Sequence, residues 1–196
     1  KTVSTNPCGE IPLCTYDSCR LLAINLYSYV EEPFTKNARF NFSLFKDHVR
    51  KAQRMMDDII DLEIEKIDAI LTKIDNDPES EEIKGVEKKL WEKIRIKAEE
   101  GRRTGVGITA EGDMIAALGY RYGTPEASDF SVKIHQTLAL EAYRSSCIMA
   151  AERGPFTVYD AKREVNNPFI NRLFAADPSL KELMEKNGRR NIALLT

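Results

Sequence analysis

Several features that would assign a protein to a class at once are scarce or missing in this sequence. No apolar run approaches the roughly 20 residues that cross a bilayer, and the formal net charge of −2 lacks the basic excess typical of nucleic-acid binders. Only two histidines and one tryptophan occur, and we find no internal repeat. The chain opens with lysine and shows no secretory-signal pattern. We therefore expect a cytoplasmic protein with no membrane or nucleic-acid partner.

The bulk composition is that of an ordinary globular protein. The chain has 196 residues, of which 42% are hydrophobic and 31% are charged. This length suffices for one domain with a substantial core, or for a large piece of a bigger domain.

Three of the four cysteines lie within the first nineteen positions: Cys8, Cys14 and Cys19. Without a secretory signal, reduced thiols are favoured over disulfides, and clustered cytosolic thiols are more often catalytic or metal-binding than structural. Structural zinc sites usually show closely spaced cysteine pairs and a fourth ligand. The gaps here are five and four residues with no fourth ligand nearby, so we expect no metal site. Cys147 is predicted to be a core residue.

Hydrophobic periodicity predicts several helices and a few short strands. The first predicted segments are an ordered loop over 1–19 and a buried strand over 21–27. A helical hairpin follows over about 43–99, made of helices 43–74 and 80–99. Strand–helix units cover 101–196, with a strand near 101–109, helices over 110–118, 126–153, 167–176 and 179–187, and a buried strand over 191–196. Ser43 is the predicted N-cap of the first helix. The second helix has an apolar stripe that includes Ile83, Val86 and Leu90.

Other candidate sites favour structural interpretations. Gly105, Gly107 and Gly112 match neither the dinucleotide nor the P-loop spacing, so tight strand-to-helix packing explains them better. His48 and His135 lie on separate predicted helices without partners at ligand spacing. A solvated helix face is the predicted environment of six carboxylates: Asp57, Asp58, Asp61, Glu63, Glu65 and Asp68.

The stretch Asn6-Pro7-Cys8-Gly9-Glu10 places an amide, a thiol and a carboxylate at alternate positions. Pro7 and Pro12 disfavour a helix, and an extended segment would point Asn6, Cys8 and Glu10 to one side. Glu10 could take a proton from a substrate hydroxyl, and Asn6 could hold another hydroxyl. A nucleophilic cysteine needs a basic partner, and no histidine is near Cys8. The local chemistry therefore favours a neutral thiol that loses a hydrogen atom.

The segment Asn6-Pro7-Cys8-Gly9-Glu10-Ile11-Pro12-Leu13 resembles the catalytic finger loop of ribonucleotide reductase, whose pattern is N-x-C-x-E. Further stretches resemble the same family in the same order: 18–26, 102–108, 152–156 and 189–196. The residue sequence of this loop and its short separation from Cys19 most resemble those of the adenosylcobalamin-dependent class II enzymes. The class I large subunit, which takes its radical from a separate subunit, is the alternative. One departure is Cys19-Arg20-Leu21-Leu22-Ala23, where the family usually has Cys-Asn-Leu-Gly-Ser.

The resemblance implies a fold and a mechanism. The family fold is a ten-stranded α/β barrel with the finger loop, here 1–19, threaded through its centre, so residues 1–196 would form part of a catalytic barrel domain with three strands. Cys8 would become a thiyl radical and remove the 3′ hydrogen of a ribonucleotide. Glu10 would take the 3′ hydroxyl proton, and Asn6 would hold the sugar hydroxyls. Cys19 would be a redox-active cysteine that ends as a disulfide.

The resemblance also implies partners and a missing remainder. Adenosylcobalamin would be the cofactor, with binding residues not assignable in this chain. A ribonucleotide, a thioredoxin-like or dithiol reductant, and further copies of the parent chain would be the partners. In the family, the partner of Cys19 and the phosphate-binding loop lie outside the stretch that matches this chain. We therefore expect an internal fragment that is inactive alone. An alternative from another class is a zinc- or thiol-stabilised helical interaction domain.

Overall fold

The computed structural model describes residues 2–18 and 20–195, and it has the predicted α/β class, rich in helix. The elements in chain order are β1 (Ser4–Thr5), β2 (Pro12–Leu13), β3 (Leu21–Asn25), a 3-10 helix (Leu26–Tyr29), β4 (Val30–Glu31), β5 (Arg39–Phe40), α1 (Phe42–Asp75), α2 (Glu81–Gly101), β6 (Thr104–Thr109), α3 (Glu111–Ala117), α4 (Pro125–Arg153), α5 (Ala161–Glu164), α6 (Pro168–Ala176), α7 (Pro178–Asn187) and β7 (Ala193–Leu195).

A parallel three-stranded sheet forms the centre, in the order β3-β6-β7. Leu21 pairs with Gly105 across β3 and β6, and Gly105 pairs with Leu194 across β6 and β7. Parallel neighbours need long crossover connections, which α1 and α2 supply between β3 and β6 and which α3 to α7 supply between β6 and β7. The central strand β6 is therefore held on both sides.

Helix α1 forms where its apolar steps predict it, but it begins earlier than predicted. Asn41, not Ser43, is the N-cap, and its side chain accepts a hydrogen bond from the Leu44 amide at 3.0 Å. The apolar face buries residues such as Phe45, Val49 and Ile60 completely. Asparagine and serine are both favoured at the N-cap, and Asn41 and Ser43 lie only two positions apart. The sequence alone therefore does not distinguish between them.

The predicted helical hairpin of α1 and α2 is present. Arg95 on α2 pairs with Asp68 on α1 at 2.6 Å, and Lys88 pairs with Asp75 at 2.7 Å, so the two helices run antiparallel. The predicted apolar stripe of α2 is largely exposed within the described residues: Ile83 is 49% exposed and Val86 is 68% exposed.

Strand β3 is shorter and more open than predicted. It ends at Asn25 and passes into the 3-10 helix, where the Asn25 side chain accepts from the Tyr27 amide at 3.0 Å. Ile24 is buried, whereas Leu21 is 51% exposed, so the expected buried strand is wrong for most of its length. β3 has no second neighbour in the described part of the sheet.

Helix α4 joins the two sides of the core. It packs on α1, where Ser145 donates to the Arg50 carbonyl at 2.9 Å, and its buried residues include Cys147, which is fully buried as predicted. The short helix α5 was not predicted, because four residues give no periodicity to detect. None of the described helices combines the length and the apolar character that a membrane span requires.

Candidate active site

Residues 4–13 form an antiparallel hairpin, called here the finger hairpin. Ser4 pairs with Leu13 and Thr5 with Pro12. The turn lies at 7–9, where the Gly9 amide donates to the Asn6 carbonyl at 3.0 Å and Gly9 has a φ of +82°. The expected extended alternation is therefore wrong, because proline followed two positions later by a left-handed glycine closes a turn.

Asn6 closes the neck of the finger hairpin. It is 6% exposed. Its backbone amide donates to the Ile11 carbonyl at 3.2 Å, and its side-chain Oδ1 accepts from the Ile11 backbone amide at 2.9 Å. The Nδ2 group donates no hydrogen bond within residues 2–18 and 20–195. Asn6 therefore fixes the hairpin through its backbone and its side-chain Oδ1 atom.

The thiol and the carboxylate take different positions on this hairpin. Cys8 is exposed in the turn, and Glu10 is partly buried on the returning side. The Glu10 Oε2 atom is buried and has no hydrogen-bond partner among the described residues. Leaving a buried acceptor unpaired costs about 1–3 kcal/mol. Such an atom is suited to accept a proton or a hydrogen bond from a bound hydroxyl.

Ile11 seats the finger hairpin on the central strand. Ile11 is fully buried, and a Cβ added at Gly105 would lie 3.0 Å from its Cδ1 and 2.6 Å from the Leu21 Cδ2. The predicted reason for Gly105, packing of a strand against a helix, is therefore wrong. The glycine leaves room for the finger hairpin and for β3.

Ion pairs hold the chain that leaves the hairpin. Arg103 Nε donates to Asp17 at 2.7 Å, and its Nη2 lies 3.9 Å from the half-buried Cys14 sulfur. Arg20 pairs with Glu63 on α1 and donates to the Arg103 carbonyl at 3.3 Å. The hairpin base is thus attached to both α1 and the start of β6. The predicted redox cysteine, Cys19, lies outside the described residues.

Asp57 corrects the expected solvated face of α1, because it is fully buried. Its carboxylate accepts from Arg102 Nε at 2.7 Å, Arg153 Nη1 at 3.0 Å, Arg190 Nε at 3.3 Å and Asn191 Nδ2 at 2.7 Å. We call these five residues the Asp57 cluster. Burial by itself would raise the pKa of Asp57, but the hydrogen bond and charge of Arg102, with help from Asn191 and Arg190, hold the pKa below its ordinary value.

The Asp57 cluster unites three of the motifs noted in the sequence, 102–108, 152–156 and 189–196. Asp57, Asp58 and Asp61 place carboxylate oxygens within 4.8 Å of one another. Arg102 pairs with Asp61 as well as Asp57, and Arg153 pairs with Asp58 as well as Asp57. The arginines balance the charge of these carboxylates and attach α1 to the segments that carry Arg102 and Arg153. The sequence analysis did not predict this cluster, although each of the three arginines lies in a stretch that resembles the same family.

The histidines and the cavities lie apart from the finger hairpin. His48 Nδ1 is 3.0 Å from the Tyr29 hydroxyl, and His135 Nε2 is 3.7 Å from Glu111. Five surface cavities of about 310 to 490 Å³ are lined by other parts of the chain, the most enclosed of them by Tyr159 and by residues of α5 to α7 such as Glu164. None of these five linings includes Asn6, Cys8 or Glu10.

The chain matches one protein-family model and is similar to several known proteins. The family model described as "Ribonucleotide reductase, barrel domain" matches residues 1–196. The vitamin B12-dependent ribonucleoside-diphosphate reductase of Thermoplasma acidophilum is 31% identical over 156 residues, 80% of this chain and 17% of the relative. The enzyme of the same name from Mycobacterium tuberculosis is 26% identical, covering 82% of this chain and 19% of the relative. The ribonucleoside-diphosphate reductase large subunit of Vaccinia virus is 27% identical, covering 97% and 22%. The chain thus spans about a fifth of the length of these relatives.

Proposed function

The chain belongs to the ribonucleotide reductase barrel-domain family, and from this premise we propose that the protein reduces ribonucleotides to deoxyribonucleotides through radical chemistry at Cys8. The observation that carries the proposal is the exposed Cys8 thiol in a turn, two residues before a carboxylate whose buried Oε2 has no partner among the described residues. The names of the three relatives support a ribonucleoside diphosphate as substrate.

Each group of the finger hairpin has a proposed role. Cys8 loses its thiol hydrogen atom, and the resulting thiyl radical takes the 3′ hydrogen of the ribose, which restores the S–H bond. Glu10 Oε2 accepts the 3′ hydroxyl proton while the 2′ hydroxyl leaves as water. Asn6 Nδ2 donates to a sugar hydroxyl, with its Oδ1 already bound to the Ile11 amide. Cys19 and a second thiol supply the two protons and two electrons that form water and the new C2′–H bond, and they become a disulfide, as the family resemblance implies. Cys8 then returns the hydrogen atom to C3′ and is again a thiyl radical.

None of the five cavities forms a site for adenosylcobalamin. The five cavities are small for a group of the size of adenosylcobalamin, and their linings exclude Cys8. We therefore derive no step through that group. When bound, adenosylcobalamin would supply the radical. The names of the Thermoplasma and Mycobacterium relatives support this radical source, and the large-subunit name of the Vaccinia relative supports a second candidate, a separate radical-generating subunit.

The proposal also includes a reductant, an oligomeric state and a cellular compartment. The reductant would be a thioredoxin-like protein or a small dithiol, and the parent chain would act as a homo-oligomer. We place the reaction in the cytoplasm, because its thiols need a reducing compartment.

The test uses the full-length protein with a ribonucleoside diphosphate, a dithiol and adenosylcobalamin, without a second subunit. We expect deoxyribonucleotide formation that Cys8→Ser abolishes and that Cys147→Ala, which removes a buried thiol away from the finger hairpin, leaves unchanged. Product that requires an added radical-generating subunit would select the second candidate. No product in either condition would contradict the function, and zinc bound stoichiometrically and lost in Cys8→Ser would favour the interaction domain.

A second variant tests the role of Glu10. Glu10→Gln keeps the size of the side chain and removes the base, so we expect kcat to fall by roughly 10² to 10⁴-fold. Because the replaced Oε2 is buried without a partner, the free energy of unfolding should not fall. Undiminished turnover in Glu10→Gln would rule out a proton-accepting role.

A further inference from the structure

We propose that Ile11 and Gly105 are positioning residues, which together set the place of the Cys8 thiol relative to the central strand β6. The proposal rests on the function proposed above, and it adds two residues that neither the finger-loop pattern nor the local chemistry singles out. Neither residue carries a reactive group, so both would act only through the finger hairpin.

The position of Ile11 is coupled to the position of Cys8. The Ile11 backbone bonds Asn6 through its amide, at 2.9 Å to Oδ1, and through its carbonyl, at 3.2 Å from the Asn6 amide. The turn that carries Cys8 lies between these two bonded residues. A shift of Ile11 therefore carries Asn6, and with it both ends of the turn.

The seat under Ile11 is rigid. Gly105 lies in β6, which pairs with β3 on one side and β7 on the other, and its amide donates to the Arg20 carbonyl at 2.8 Å. The Arg20 side chain, 6% exposed, is in turn paired with Glu63 on α1. Because β6 is hydrogen-bonded on both sides, a Cβ atom added at position 105 must displace the side chains that it meets, those of Leu21 and Ile11.

The two side chains above Gly105 differ in how easily they can move. An ideal Cβ at position 105 would lie 2.6 Å from Leu21 Cδ2 and 3.0 Å from Ile11 Cδ1. Leu21 is 51% exposed, so its side chain can turn toward solvent. Ile11 is 0% exposed and can yield only by moving the finger hairpin. The contact with Ile11 therefore transmits a change at Gly105 to Cys8.

The experiment compares Gly105→Ala with the double variant Gly105→Ala/Ile11→Val in the full-length protein. Valine lacks the Cδ1 methyl that the new Cβ would meet, so the double variant should relieve the displacement. Gly112→Ala is the matched control, since a Cβ there meets nothing within 4 Å and Gly112 lies in α3. The readouts are kcat and KM for deoxyribonucleotide formation, and hydrogen exchange of the amide at position 11.

We expect Gly105→Ala to lower kcat by roughly 10- to 100-fold with KM little changed, because misplacing a reacting group by about 1 Å has effects of this size. Exchange of the position-11 amide should become about tenfold faster as its bond to Asn6 weakens. The double variant should recover most of both losses, and Gly112→Ala should match the wild type.

Wild-type kcat and amide exchange in Gly105→Ala would overturn the proposal, as would a double variant no better than the single one. If Gly105→Ala does not fold, Ile11→Ala removes atoms from the same contact, and wild-type kcat with undiminished position-11 protection in that variant would also overturn it. A wild-type protein without reductase activity would defeat the proposed function instead, and the exchange data would still decide whether Gly105 seats the hairpin.

Discussion

Arg102 forms two hydrogen bonds with Asp57: Nε donates to the carboxylate at 2.7 Å, and Nη2 donates to the Asp57 backbone carbonyl at 2.9 Å. To do so, Arg102 ends α2 in a left-handed conformation with a φ of +42°. Such a conformation costs a residue other than glycine roughly 1–2 kcal/mol. The gain from pairing a buried carboxylate outweighs that strain, which explains an arginine at a position that usually favours glycine.

Removing the Asp57 carboxylate should destabilise the protein strongly. Asp57→Ala leaves Arg102, whose side chain is 5% exposed, as a buried cation whose remaining ion pair among residues 2–18 and 20–195 is with Asp61. Breaking a buried pair in this way costs about 3–5 kcal/mol. The measurement is the free energy of unfolding in urea.

The matched control for this prediction is Asp58→Ala. The Asp58 side chain is 50% exposed and forms an ion pair with the partly exposed Arg153, so we expect a loss of at most about 1 kcal/mol. Equal losses for the two variants would contradict the central role of Asp57.

Acid should weaken the Asp57 cluster in a defined pH range. The pKa of Asp57 in the folded state lies below its ordinary value of 3.8, so its contribution to stability is present above that pH and disappears as pH falls through the folded-state pKa. We expect the stability difference between wild type and Asp57→Asn to be constant near neutral pH and to shrink below about pH 4. Urea midpoints measured across this range test it, and a difference that stays constant down to about pH 2 would show that Asp57 does not titrate differently on folding.

Cys147 should be chemically inert in the native protein. Burial raises the pKa of its thiol to about 12, and the thiol is fully buried between α4 and the short helices. Because the thiolate is the reactive species, iodoacetamide at about pH 8 should leave Cys147 unmodified until the protein is unfolded. Mass spectrometry of the tryptic peptide provides the measurement, and rapid native labelling would show that α4 opens locally.

The sequence predicts local structure well where local signals suffice. The apolar steps of α1 and the stop at Asp75-Asn76-Asp77-Pro78 give bounds within a residue or two of the observed helix. The family resemblance, which rests on the finger-loop motif, is confirmed by the family model. The turn at Cys8 was predictable in principle, because Pro7 and Gly9 are both turn residues, but the alternation of polar groups obscured it.

The environment of Asp57 could not be predicted in the same way. Its partners lie 45 positions away at Arg102, 96 at Arg153 and 133 at Arg190, so no local pattern distinguishes it from its neighbour Asp58. The exposure of Val86 likewise depends on which elements lie beside α2, which helical periodicity does not reveal.

The span of the Asp57–Arg190 contact has a kinetic consequence. The α1–α2 hairpin is held by shorter-range contacts, such as Arg95 with Asp68 at a separation of 27 positions, and can form early. The carboxylate of Asp57 meets Arg190 only when residues 133 positions apart in the sequence have been brought together. Closing so long a loop is entropically unfavourable until the other elements are in place. The Asp57 cluster would then form after the rate-limiting barrier, so it would slow unfolding far more than it speeds folding.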